Sequence, residues 1–142
     1  MRVLVCGGRN FAEVDNSPDE EFLKRTAEYK FVHDHLHNLS LGWPRTPEDE
    51  YGNWLPAVTI ITGECPTGVD QAAIDWAVVN WTGYKGFPAD WKTHGKAAGP
   101  IRNKQMLDEG KPDVVVAFPG GKGTANMVKL AREAGVPVTI VS

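Results

Sequence analysis

Phe118-Pro119-Gly120-Gly121-Lys122-Gly123-Thr124 follows an apolar run, Val114-Val115-Val116-Ala117, and precedes a segment of helical character, Ala125 to Ala134. Glycines at such a junction let the backbone approach a ligand closely. The unpaired N–H groups of the new helix then point at an anion. The stretch therefore reads as a turn that holds phosphate or ribose, through Gly120, Gly121, Gly123 and Thr124, with Thr124 also able to cap the helix.

Outward from this turn, the same pattern of strand, glycines and helix recurs. Arg2-Val3-Leu4-Val5-Cys6 is a continuous apolar run, as in a strand buried on both faces. It ends in Gly7-Gly8-Arg9, two glycines for a tight turn and a planar bidentate donor. The spacing is neither a dinucleotide GxGxxG nor a Walker A loop, and an ordinary turn explains these residues about as well. Ala57 to Thr62, rich in β-branched residues, ends in Gly63 and leads through Gly68 and Asp70 into a helix with Ala72, Ala73, Trp76 and Ala77 at helical spacing. Asp70 falls in the first turn, where a carboxylate complements the helix dipole, so a cap and a ligand contact both account for it.

Thr82 to Phe87 reads as a short third strand at an edge, followed by a loop, Pro88 to Lys96, that carries Asp90 and Trp91. A helix then opens at Ala97, with Arg102 and Asn103 in its first turns. An arginine there opposes the positive end of the helix dipole, and an anion in front of it would offset that cost. A surface ion pair is the plainer alternative. Val136 to Val141 is the last strand, after a helix ended by Gly135.

Alternating strands and helices predict right-handed βαβ units. The expected fold is α/β: a doubly wound parallel sheet of about five strands with helices on both faces, in a single domain spanning residues 1–142. Ligands of such sheets bind outside the carboxyl ends of the strands, where strand order reverses. All four loops fall on that rim. Arg9, Arg102, Lys104 and Lys122 would make it cationic although the net charge is −3.

Between the first two strands, Ser17-Pro18-Asp19-Glu20 resembles a capped helix start. Phe22, Tyr29, Val32, Leu36 and Leu39 recur at helical spacing. His33 and His37 lie one turn apart, but no cysteine or carboxylate stands at matching spacing, so a solvated face is expected and no metal. Residues 40–56 read as a loop insertion whose Trp43, Tyr51 and Trp54 pack on the domain or on a second subunit. With 142 residues, two cysteines, no long apolar run and a strand at the very start, the chain is expected to be cytoplasmic, without membrane span or leader. Cys6 and Cys65 read as free, partly buried thiols.

Gly7-Gly8-Arg9, Gly63-x4-Gly68-Val69-Asp70, Pro88-Ala89-Asp90-Trp91, Ala98-Gly99-Pro100-Ile101-Arg102-Asn103 and Phe118-Pro119-Gly120-Gly121-x-Gly123-Thr124 together resemble the SLOG superfamily. This Rossmann-like group includes the LOG phosphoribohydrolases and the DNA-processing protein DprA. The match is nearest its small YspA-like branch, found in bacteria and phages. The resemblance implies a nucleotide or nucleotide-derived ligand, no cofactor, and a homodimer or higher oligomer paired through helices. Where the LOG enzymes follow the glycine turn with Thr-x-x-Glu, this chain has Thr124-Ala125-Asn126-Met127. The glutamate that helps cleave the N-glycosidic bond is missing, and a thioether is neither acid nor base. Arg102 corresponds to the family's catalytic arginine, with Asn103 where a lysine usually follows.

Three functions follow as expectations. The first is binding of a nucleotide-derived small molecule for sensing or sequestration. The second is nucleotide hydrolysis of the phosphoribohydrolase type, with Arg102 catalytic and Glu64, Asp70 or Asp90 replacing the glutamate. The third is single-stranded DNA binding, which the negative charge and the lack of a basic stripe oppose.

Overall fold

The computed structural model describes residues 1–9, 11, 20–65 and 68–142. The capping residues Ser17 and Pro18 and the side chain of Phe22 lie outside these described residues.

Five strands form one sheet: β1 (Arg2–Cys6), β2 (Thr59–Thr62), β3 (Gly83–Gly86), β4 (Val114–Ala117) and β5 (Val138–Ile140). The order is β3-β2-β1-β4-β5, and every pairing is parallel. The helices between them are α1 (Glu20–Ser40), α2 (Gly68–Val79), α3 (Trp91–His94), α4 (Ala98–Gly110) and α5 (Lys122–Glu133). Successive side chains of a strand point to opposite faces, and the core divides accordingly. Val3, Val5, Ile60 and Val116 pack on one face with Val32 and Leu36 of α1 and Ala72, Ala73 and Trp76 of α2. Leu4, Cys6, Ile61 and Val115 pack on the other with Met106 of α4 and Met127 and Ala131 of α5. The alanines of α2 let it lie close to the sheet. The chain is thus a single Rossmann-like α/β domain with the expected sheet.

Local structure departs from the sequence reading in four places. The loop from Pro88 to Lys96 contains a helical turn, α3, and a 3₁₀ turn, Gly95–Ala97, that runs into α4. The Asp90 carboxylate starts α3 by accepting the Thr93 N–H at 3.1 Å. Thr124 is not the cap of α5: the helix already begins at Lys122, with Gly121 as its cap residue. His33 does not lie on a solvated face. Its ring is 4.6 Å from that of Tyr29, whose hydroxyl donates to Asp75 of α2 at 2.6 Å, and burial lowers the histidine pKa. His37 is exposed.

The insertion is a hairpin-like excursion more than an open loop. Arg45 bridges Pro56, and the Thr46 N–H donates to the Leu55 carbonyl at 2.8 Å. Asp49 closes its tip by accepting the Tyr51 and Asn53 N–H groups. Trp43 meets Trp76 edge-on at 6.0 Å, a contact worth about 1 kcal/mol beyond the area it covers. The Arg45 guanidinium lies 4.7 Å from the Trp54 ring centre, whereas Tyr51 is exposed.

Candidate functional site

Strand order reverses between β1 and β4, so the loops leaving these two strands part in opposite directions and open a crevice. They are first tied at the root. The Gly8 N–H donates to the Pro119 carbonyl at 2.9 Å, and the Phe118 N–H to the Cys6 carbonyl at 2.9 Å. A Cβ on Gly120 would lie 2.2 Å from Thr124 Oγ1 and 2.7 Å from the Gly8 nitrogen. One on Gly7 would lie 2.4 Å from Val69. Gly68 has φ +72° and touches the Gly8 carbonyl oxygen, which a Cβ would approach to 2.3 Å. Gly68 and Gly120 serve close approach of backbones, and Gly7 makes room for the Val69 side chain.

Above this root lies a cavity of about 680 Å³, well within the range of small-ligand sites. Gly7, Gly8, Arg9, Gly63, Asp70, Arg102, Asn103, Gly120, Gly121, Gly123 and Thr124 all line it, as the sequence reading expects. Lys122 joins them. Gly121 and Gly123 have nothing within 4 Å of where a Cβ would stand. They begin α5 and present a bare helix N-terminus to the cavity.

The α4 side chains that line the cavity are held firmly. One Arg102 Nη donates to the Gly63 carbonyl at 2.7 Å, and Nε donates to Asn103 Oδ1 at 3.0 Å. A Cβ on Gly63 would stand 2.3 Å from that Nη, so glycine is what admits the guanidinium. Asn103, almost wholly buried, turns its amide to the glycine turn and donates to the Gly123 carbonyl at 3.1 Å and Asn126 Oδ1 at 3.0 Å. It therefore fixes Arg102 relative to the start of α5.

Asp70 is 8% exposed and accepts the Cys65 N–H at 3.1 Å. Burial pushes its pKa up to about 6, against the pull of that N–H and of Arg102 and Arg9. Burial and the nearby Asp70 also push the Cys6 thiol up to about 12, so it stays protonated and unreactive at neutral pH. Cys6 and Cys65 are both free. Met127 is buried and lines the cavity.

Gly68, Asp90 and Trp91 lie outside the lining. Gly68 belongs to the packed root and Asp90 caps α3. Trp91 is half-exposed and connects to the site indirectly, with the Arg9 guanidinium 5.8 Å from its ring centre. Lys104 is exposed and also outside the lining, and so is Glu64. Phe11, Glu28, Met106 and the two cysteines, Cys6 and Cys65, also line the cavity and were not read as site residues from the sequence. Glu28 reaches the cavity from α1, a helix whose spacing marks its core face and says nothing of the flank that looks toward the loops.

No family model matches the chain. It is 33% identical over 144 residues to the Gene 61 protein of Mycobacterium phage D29, an alignment covering 96% of this chain and 93% of the relative. The chain belongs to the family of this phage protein. Because the Gene 61 alignment takes in nearly the whole of both chains, the relationship concerns the complete domain and not one motif. No described helix is long and apolar enough to cross a membrane.

Proposed function

We propose that the cavity binds a nucleotide or nucleotide-derived small molecule, and that the chain is a SLOG-type binding module acting in the cytoplasm. The observation that carries this reading is the bare lip at Gly121 and Gly123. It lies at the N-terminus of α5, beside the sheet's switch point, and opposite a guanidinium fixed by Gly63 and Asn103. A phosphate group seated there would receive backbone N–H groups on one side and Arg102 on the other. Arg9, backed by Trp91, stands at the mouth, where a base or sugar would lie. A phage relative fits a role in sequestering or sensing a nucleotide signal.

Small molecules released from the purified protein should include an intact nucleotide-type compound by mass spectrometry. Arg102→Ala should lower its affinity by about two orders of magnitude, the loss expected when one charge-assisted pair is removed. Recovery of no such compound, together with no calorimetric binding of nucleoside monophosphates, NAD or ADP-ribose, would sink the proposal.

A second reading has one specific observation behind it. Asp70 is a buried carboxyl with a raised pKa inside the cavity, the property of a general acid. Of the three acids that could replace the missing glutamate, it alone lines the site. Release of free base from nucleoside monophosphates, abolished by Asp70→Asn and by Arg102→Ala, would establish nucleotide hydrolysis. Met127 in the cavity lining favours holding over cutting.

A further inference from the structure

Trp81 occupies a position where the backbone favours glycine. The helix α2 ends in a Schellman motif, in which the Thr82 N–H donates to the Ala77 carbonyl at 2.9 Å and the Trp81 N–H to the Val78 carbonyl at 3.2 Å. Trp81 sits at the left-handed position of that motif, with φ 57°. A bulky side chain is strained there. The ring gains little from its own chain in return, being 83% exposed. Val78, Val79 and Tyr84, near it in sequence, are exposed as well.

The neighbouring β3 is a sheet edge. The Phe87 N–H donates to the Thr62 carbonyl, and Lys85 is in register with Ile61. This parity turns the backbone groups of Lys85 and Phe87 toward β2 and those of Tyr84 and Gly86 outward. Tyr84 is in register with Ile60, so its side chain leaves on the α2 face, the side of Trp81. The strand carries no proline to block the edge. Its lysine extends over the Phe87 ring at 5.0 Å, on the opposite face.

We infer that β3 pairs antiparallel with β3 of a second copy of this chain, about a two-fold axis at Tyr84, and that Trp81 is the anchor of the interface. The occupant follows from hydrogen bonding and charge. The outward groups of Tyr84 and Gly86 offer pairing to a strand, and an isologous pairing supplies one from the same patch. Residues 76–87 contain no acid in a chain of net charge −3, and Lys85 is their one formal charge. With Tyr84 opposite the partner's Tyr84, each Lys85 faces the partner's Gly83, so like charges do not meet. The sheet becomes continuous across two protomers, at the edge that β2 separates from the β1–β4 crevice.

Sedimentation equilibrium across a concentration series tests this. The wild-type chain should be a dimer. Trp81→Gly should weaken the dimer by about tenfold or more, as loss of a central aromatic does, while its monomer melts no lower, because glycine suits the left-handed position. Tyr84→Pro should be monomeric with an unchanged circular dichroism spectrum, since the N–H it removes points away from the sheet. A wild-type monomer at every concentration would overturn the inference, and so would a dimer left intact by both substitutions.

Discussion

Gly120 and Gly121 are adjacent in one turn and sit in opposite surroundings. Around Gly120 the chain is closed: Gly7, Gly8, Gly68 and Gly120 bring three loops together, and an added carbon would clash at Gly7, Gly68 and Gly120 and be tight at Gly8. Around Gly121 and Gly123 it is open, with nothing within 4 Å. The closed root and the open lip use the same residue type for different ends. In the root, glycine permits the loops to meet. At the lip, glycine keeps a space that the fold itself does not need. A glycine that the fold does not require is the better mark of a ligand.

Substitutions at each level separate the two. Gly68→Ala should have the largest effect, since it combines a positive φ with a clash against the Gly8 carbonyl. A loss of about 3 kcal/mol or more in urea unfolding is expected. A loss below about 1 kcal/mol would show that the root is looser than its distances imply.

Asp70 belongs to the root through the Cys65 N–H and gives a pH-dependent test. Its folded pKa of about 6 lies above the unfolded value of about 3.9. The folded state therefore binds more protons between these values, and stability falls as pH rises from about 4 to about 6. Above that window the ionised carboxylate continues to burden the fold. Asp70→Asn keeps an acceptor for Cys65 and should flatten this slope, by about 1–3 kcal/mol between pH 4 and pH 7. An unchanged pH profile would remove Asp70 as its source.

Gly121→Val should change stability by less than about 1 kcal/mol yet abolish ligand binding, by filling the approach to the α5 N-terminus. If calorimetry shows binding intact, the phosphate site is elsewhere. Asp90→Ala should do least: a small fall in melting temperature from the lost cap of α3, and no change in ligand affinity. A large loss of affinity would extend the site to the β3–α3 connection.

The sheet was legible because β1, β2 and β4 are short apolar runs followed closely by glycine, a pattern that survives without knowledge of the packing. The rim was legible for the same reason, since strand ends place loops. What stayed hidden depends on contacts between distant segments. Asn103 reads as a ligand residue beside Arg102, but its side chain is committed to Gly123 and Asn126. Asp90 and Trp91 stand on the right rim, yet their connection folds into a helical turn that carries them past the cavity. Gly120 and Gly121 are indistinguishable in sequence and differ only in what lies opposite them. Trp81 gave no sign of strain, because a left-handed residue declares itself in sequence only when it is glycine or asparagine.

The bond from the Gly8 N–H to the Pro119 carbonyl has an expected kinetic consequence. It joins segments from the two ends of the chain, beside a strand that lies between β2 and β4. Contacts of such long sequence separation are late and slow to close. During refolding, helical signal should therefore recover before ligand affinity does. If the proposed nucleotide-type ligand binds at this crevice, its binding requires the central strand to be in place, so recovery of affinity would report on that step of assembly.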